Sequence, residues 1–313
     1  MKSLAVASRS FSKNIVLRNK VLKLYPDTKF NDGGHSLNGD SLVEFLSGYE
    51  KAILALETID EFVLSRLPNL KVIGKYGVGL DMIDLKAMEK YDVKLGWTGG
   101  VNKRSVSELV VSFAIYLLHR VVFANNEVKR GEWYQVKGRQ LSGRTVGIIG
   151  CGHIGKDLVG LLKPFGCKIL VHDIVDYADF YRDNQVNSVG LEELAKQSDI
   201  ISVHLPLNGS TKNIINKDLI EMFKENAIFI NVARGGLVDE VALEQRLIEG
   251  TLGGAALDVF ALEPPLDNKI AQLDNVIVTP HIGGSTEEAI LAMGEAAIAG
   301  LETFRKASSF IIK

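Results

Sequence analysis

Thr145-Val146-Gly147-Ile148-Ile149-Gly150-Cys151-Gly152-His153-Ile154-Gly155 is the stretch on which the fold turns. Thr145–Ile149 reads as a short buried strand, the glycines follow as G-x-G-x-x-G, and Lys156–Pro164 continues with a helical pattern. Glycine is common, so the spacing alone carries little weight; strand, loop and helix in that order carry much more. Gly150 permits a tight turn, Gly152 lets backbone approach a pyrophosphate, and Gly155 lets helix and strand pack closely. The unpaired amides of the helix start, with the dipole behind them, then face the phosphates. A second strand, Lys168–His172, ends at Asp173, 18 residues beyond Gly155. An acidic residue about 20 positions on accepts hydrogen bonds from ribose hydroxyls and repels a 2′-phosphate, so NAD is expected over NADP. Asp176 stands nearby as a substitute, and Cys151 reads as a small filler rather than a redox group.

Outward from this loop, short β-branched runs alternate with helical patterns, the mark of parallel sheets covered by helices. The second half offers six strands: Thr145–Ile149, Lys168–His172, Ile200–His204, Ala227–Asn231, Gly254–Leu257 and Val276–Thr279. Six strands with crossovers suit a doubly wound sheet. The first half offers Leu4–Ala7, Ala52–Leu56, Lys71–Ile73 and Val93–Leu95, with helical stretches at Ser41–Gly48 and Leu85–Tyr91. Two long helical segments flank the second half. Ser105–Val122 is apolar on most faces and therefore buried, with Ser105 and Glu108 at capping-box spacing. Ser285–Phe304 is alanine-rich, with Thr286 ahead of two glutamates. Read as connectors, they divide the chain into a discontinuous lobe, residues 1–101 plus 285–313, and a nucleotide lobe, residues 102–284.

Composition narrows the class. At roughly 150 residues per domain, 313 residues make about two domains. Lys plus Arg is 36 against 38 Asp plus Glu, a net charge of −2 that argues against nucleic acid as the main partner. Cys151 and Cys167 cannot form a disulfide framework, so a reducing compartment is expected. Leu4–Ala7 is too brief for a secretory signal, and no run approaches the ~18 apolar residues of a membrane span. Asn208-Gly209-Ser210 matches a glycosylation sequon by letter but reads as a turn. A cytoplasmic protein with no membrane partner and no metal site is the expectation.

Three motifs beyond the glycine loop carry chemistry. Asn231-Val232-Ala233-Arg234-Gly235-Gly236 follows a strand, which places Arg234 at a carboxyl edge where ligands bind. Its guanidinium suits a carboxylate or carbonyl oxygen. Asp258 and Glu263 follow the next strand, and His281 follows the last, in Thr279-Pro280-His281-Ile282-Gly283-Gly284. Hydride leaving a carbinol carbon requires a base on the hydroxyl, and histidine with a carboxylate partner supplies one. Singly, each residue reads as ordinary surface or capping chemistry. Three consecutive strand ends bearing Arg234, Glu263 and His281 read as a catalytic set.

Together Gly150–Gly155, His204-Leu205-Pro206-Leu207, Asn231–Gly236, Ala256–Pro265 and Thr279–Gly284 resemble the D-isomer-specific 2-hydroxyacid dehydrogenases, in that family's order, over roughly residues 70–285. The resemblance implies an α/β protein of two lobes, with a Rossmann doubly wound parallel sheet domain inserted in a smaller flavodoxin-like substrate domain. It implies NAD as cofactor, and Arg234, Glu263 and His281 as the catalytic residues. It further implies that Asp258 holds the nicotinamide carboxamide. Gly150, Gly152, His153, Ile154, Gly155, Asp173, Leu205, Pro206, Val232, Ala233, Arg234, His281 and Gly283 would line the cofactor. For the substrate it implies Lys75, the amides of Gly77, Val78 and Gly79, Asn102 near the hinge, and Arg234.

Lys71–Asp84 resembles the family's substrate loop. Phosphoglycerate dehydrogenases typically carry an arginine where Lys75 stands. Lysine keeps the charge but loses the bidentate fork. Lys137 and Arg139 add positive charge, either from a partner subunit or as a solvated stretch. Some 32 residues follow His281, too few for a C-terminal regulatory domain, so serine feedback is not expected. The leading substrate is 3-phosphoglycerate, with hydroxypyruvate, glyoxylate or another small 2-oxo acid behind it, in a homodimer using the exposed part of 105–145. Two other readings share the fold: an NADH-sensing interaction protein like the family's corepressors, and a formate dehydrogenase. Glu263, where the latter resembles a glutamine, counts against the second.

Overall fold

A computed structural model describes residues 2–266 and 268–311. The chain divides into two compact units, Met1–Asn102 with Glu287–Lys313, and Lys103–Thr286. Its strands in chain order are β1 (Lys2–Val6), β2 (Lys29–Phe30), β3 (Tyr49–Leu54), β4 (Val72–Lys75), β5 (Lys94–Gly96), β6 (Thr145–Ile149), β7 (Lys168–His172), β8 (Asn187–Ser188), β9 (Ile200–Val203), β10 (Ile228–Asn231), β11 (Gly254–Leu257), β12 (Val276–Val278) and β13 (Arg305–Lys306).

The first unit holds one sheet in the order β2-β1-β3-β4-β5-β13, parallel except for β13, which runs antiparallel to β5. Without β13 this is the flavodoxin order 2-1-3-4-5. The helix Glu287–Gly300 returns the end of the chain to this sheet through very close backbone contacts. A Cβ on Gly74 would lie 2.4 Å from the Ala297 carbonyl oxygen, and one on Gly96 would lie 1.9 Å from that of Gly300. Glycine on both strands is what lets that helix seat.

The second unit holds seven strands in the order β8-β7-β6-β9-β10-β11-β12, all parallel. Numbered within the unit, that is 3-2-1-4-5-6-7, the doubly wound order with one further strand. Every residue of β9, β10 and β11 is buried, as expected where helices cover both faces. Val106, Val110, Phe113 and Leu118 of the helix Lys103–His119 share a core with Val146, Ile148, Ile200 and Ile230 of that sheet.

Several local expectations are corrected. The helix expected over Ser105–Val122 starts at Lys103 and stops at His119, because Arg120 takes a left-handed φ of 57° and opens a second helix, Val121–Lys129. Ser105 therefore lies within the first turn rather than capping it. Its hydroxyl donates instead to the Gly283 carbonyl oxygen at 2.6 Å. The alanine-rich helix spans Glu287–Gly300, shorter at both ends than expected. The edge strands β2, β8 and β13 are additions to the strands expected. Asn208 does form a turn, its Oδ1 accepting from the amides of Ser210 and Thr211. Among the described residues no single helix is long and apolar enough to cross a membrane.

Candidate active site

The glycine loop lies between β6 and the helix His153–Leu162. Gly150 has φ 98°, and a Cβ there would meet the His204 carbonyl oxygen at 2.7 Å; one on Gly155 would meet the Gly150 carbonyl oxygen at 2.3 Å. At Gly152, the residue that opens the helix, a Cβ would meet nothing within 4 Å, and no side chain caps the helix start. His153 and Ile154 form its first turn, so an open approach leads to unpaired amides. Asp173 closes the far side, its carboxylate accepting from the Cys151 amide at 2.6 Å and the Val175 amide at 2.8 Å. A carboxylate has about four acceptor sites, so capacity remains for ribose hydroxyls. Those donors and that gap fit a dinucleotide. Leu205 and Pro206 follow β9, with the Leu205 side chain 3.0 Å from where a Gly150 Cβ would sit. Cys151 is buried, and burial pushes its thiol up to about 11, so it stays protonated and inert.

The carboxyl ends of β10, β11 and β12, neighbours in the sheet, carry the remaining residues. At the end of β10, fully buried Asn231 accepts from the Ala233 amide at 3.0 Å and donates to the Arg234 carbonyl oxygen at 2.9 Å. This fixes Val232, Ala233 and Arg234 in an extended turn. The Arg234 guanidinium also donates to the Ala233 carbonyl oxygen at 2.6 Å. Gly235 then packs onto the following loop so closely that a Cβ would stand 1.8 Å from the Phe260 carbonyl carbon.

Asp258, 1% exposed, follows β11 directly. Its carboxylate accepts from the Thr279 hydroxyl at 2.5 Å, the Ile282 amide at 2.7 Å and the Gly283 amide at 2.8 Å. The His281 amide donates to the Asp258 carbonyl oxygen at 2.9 Å, and His281 itself holds a left-handed φ of 56°. Glu263 accepts from the Phe260 amide at 3.2 Å through Oε1, and its Oε2 lies 2.9 Å from His281 Nδ1. The pair is open, with side chains 46% and 40% exposed. Asp258 thus spends three of about four acceptor sites on the His281 loop, leaving one where a carboxamide contact was expected. Thr279 and Asn231 lie in the quoted motifs but were given no role there, and Ser105 was read as a helix cap rather than as a brace of the Gly283 turn; nothing in one sequence marks a residue as the brace of its neighbour.

In the first unit, Gly77, Val78 and Gly79 follow β4. Among the described residues their amides have no hydrogen-bond acceptor, while the Val78 carbonyl oxygen takes the Trp97 indole N–H at 3.1 Å. Lys75 is 3% exposed, its ammonium donating to the carbonyl oxygens of Ala55 at 2.7 Å and Tyr76 at 3.2 Å. Both of these acceptors are backbone carbonyls, so the ammonium is engaged at the end of β4. Buried Asn102 has an Oδ1 without a hydrogen-bond partner among the described residues. Arg139 donates to the Asn226 carbonyl oxygen at 2.8 Å, and Lys137 is exposed.

The family model described as D-isomer specific 2-hydroxyacid dehydrogenase, NAD binding domain, matches residues 111–283. A D-3-phosphoglycerate dehydrogenase of Methanocaldococcus jannaschii is 37% identical over 89% of this chain, which spans only 54% of that relative's length. A hydroxypyruvate reductase of Thermotoga maritima is 37% identical over 82% of this chain and 85% of its own. The structure of D-lactate dehydrogenase from Aquifex aeolicus, complexed with NAD and lactic acid, superposes with a TM-score of 0.84 at 27% identity, covering 96% of this chain and 94% of that one. The chain belongs to the D-isomer-specific 2-hydroxyacid dehydrogenases, a family of NAD-dependent enzymes, and carries their NAD-binding domain.

Proposed function

We propose that this protein transfers a hydride between NAD and a small D-2-hydroxy acid, with 3-phosphoglycerate and its 2-oxo product as the leading pair. The observation that carries the reading is the 2.9 Å contact between His281 Nδ1 and Glu263 Oε2 at the ends of adjacent strands, beside the Arg234 turn. With Nδ1 engaged by the carboxylate, Nε2 is the atom left to take the hydroxyl proton, and Glu263 stabilises the imidazolium that results. In the reverse direction Nε2 returns the proton to the carbonyl oxygen. Arg234 holds the carbonyl or carboxylate oxygen as charge develops there. NAD supplies the hydride acceptor.

Gly152, the first turn at His153 and Ile154, and Asp173 bind the pyrophosphate and ribose, while Leu205, Pro206, Val232, Ala233 and Gly283 line the dinucleotide. Asp258 acts chiefly by holding the His281 loop. The amides of Gly77, Val78 and Gly79 receive the substrate carboxylate, and Asn102 adds a polar contact. A second reading, reduction of hydroxypyruvate or glyoxylate, is favoured by the Thermotoga relative, whose length this chain nearly spans. The helix Val121–Lys129, which buries no residue, and Trp133, 88% exposed, suit a homodimer interface. Two free cysteines suit a reducing cytoplasm.

The test is NADH oxidation with phosphohydroxypyruvate, hydroxypyruvate, glyoxylate and pyruvate, in wild type and His281→Ala. We expect turnover of at least one acid, and a loss of about 10²- to 10⁴-fold in kcat in the variant with NADH binding retained. No oxidation with any of them would turn the reading toward an NADH-sensing protein.

A further inference from the structure

The first unit contains a second feature at the carboxyl edge of its sheet. Between the segments that follow β1 and β3 lies a cavity of about 390 Å³, with Arg9, Ser10, Lys13, Ser36, Asn38 and Leu56 among the residues that line it. Its place is the topological switch of this sheet. From β1 the chain runs outward to β2 on one side, while β3 and β4 lie on the other, and ligands of open α/β sheets collect at such points. Arg9 and Lys13 are exposed, and among the described residues neither has an ion-pair partner. The one acidic group on the wall, Glu57, is 8% exposed and accepts the Ala55 amide at 2.6 Å.

Lys75 ties this cavity to the loop after β4. Its ammonium donates to the carbonyl oxygen of Ala55, on the cavity wall, and lies 3.3 Å from where a Cβ of Gly77 would be. One buried cation therefore underlies both the cavity and the glycine amides. The geometry points to the cavity as the subsite for a phosphate at the far end of the substrate, held by Arg9 and Lys13, while Lys75 positions the floor without touching the phosphate. This rests on the proposed placement of the carboxylate at Gly77, Val78 and Gly79. Neighbouring strands are ~4.8 Å apart, so a point between β1 and β3 stands roughly 7 Å from the end of β4. A three-carbon 2-oxo acid with a terminal phosphate spans that gap; a two-carbon acid does not.

The experiment is steady-state reduction of phosphohydroxypyruvate and hydroxypyruvate by wild type, Arg9→Ala, Lys13→Ala and the double variant, with inorganic phosphate as a competing probe. Losing a charge-assisted contact should lower kcat/KM for phosphohydroxypyruvate about 10- to 100-fold. The loss for hydroxypyruvate should be at least tenfold smaller, and inhibition by inorganic phosphate should weaken in parallel. Arg9→Lys should restore part of the loss. Equal losses for both substrates, or none for either, overturn the subsite while leaving the dehydrogenase reading intact. If neither acid is reduced, 3-phosphoglycerate falls as the leading substrate. Calorimetric titration with 3-phosphoglycerate then decides the subsite, which stands only if binding is lost in the double variant.

Discussion

His281 and His204 show how two residues of one type are put to opposite uses. His281 is half exposed, and its ring is aimed by a carboxylate. His204 places Nε2 2.9 Å from the buried Ser202 hydroxyl, while its Nδ1 is buried with no partner among the described residues. Burial pushes the His204 ring down to about 3, so it stays neutral in the folded protein. An unfolded histidine titrates near ~6.5. Between these values the unfolded chain holds the extra proton, so stability falls as the pH drops from about 6.5 toward 3, by up to about 1.4 kcal/mol per pH unit from this group. Urea midpoints measured at pH 7, 5.5 and 4.5 should decline less steeply in His204→Asn than in wild type. Equal slopes would mean that the ring charges within the fold.

At the scale of elements, the turns after β10 and β11 behave as one piece, because Gly235 is pressed against the Phe260 carbonyl carbon. Gly235→Ala must push them apart, at a cost of about 1–3 kcal/mol in stability. A displacement near 1 Å at the Arg234 turn should lower kcat/KM about 10²-fold. Thermal unfolding and steady-state kinetics check both numbers, and a fully active variant would separate the two turns. Elements of this strength were legible in the sequence: β6, β7 and β11 have the bounds that their β-branched or small-residue runs suggested. The strands β2, β8 and β13 are two residues long, and two residues have no periodicity to read. The break at Arg120 is equally silent, because an arginine in left-handed conformation carries no compositional mark. At the site, the residues proposed for the chemistry stood out by motif, while the fate of the Lys75 charge depended on carbonyl oxygens that only the folded backbone brings near.

The molecule as a whole pairs a continuous unit with a discontinuous one. Lys103–Thr286 is a single stretch with its own sheet and two apolar cores. Expressed alone, it should fold cooperatively and bind NADH with an affinity within about tenfold of the full chain, since a compact stretch with its own core can fold by itself. It should reduce no 2-oxo acid, because the amides proposed to receive the substrate carboxylate belong to the first unit. NADH fluorescence titration of that fragment is the measurement, and failure to bind would show that the first unit contributes to the dinucleotide site. The first unit has no such independence, since its sheet is finished by residues from the far end of the chain. Arg305 and Lys306 pair with Leu95 and Lys94 and cover the outer side of β5. A chain cut after Phe304 would bare that row of amides and carbonyls. The first symptom of such a truncation would then be self-association into aggregates, ahead of any loss of chemistry.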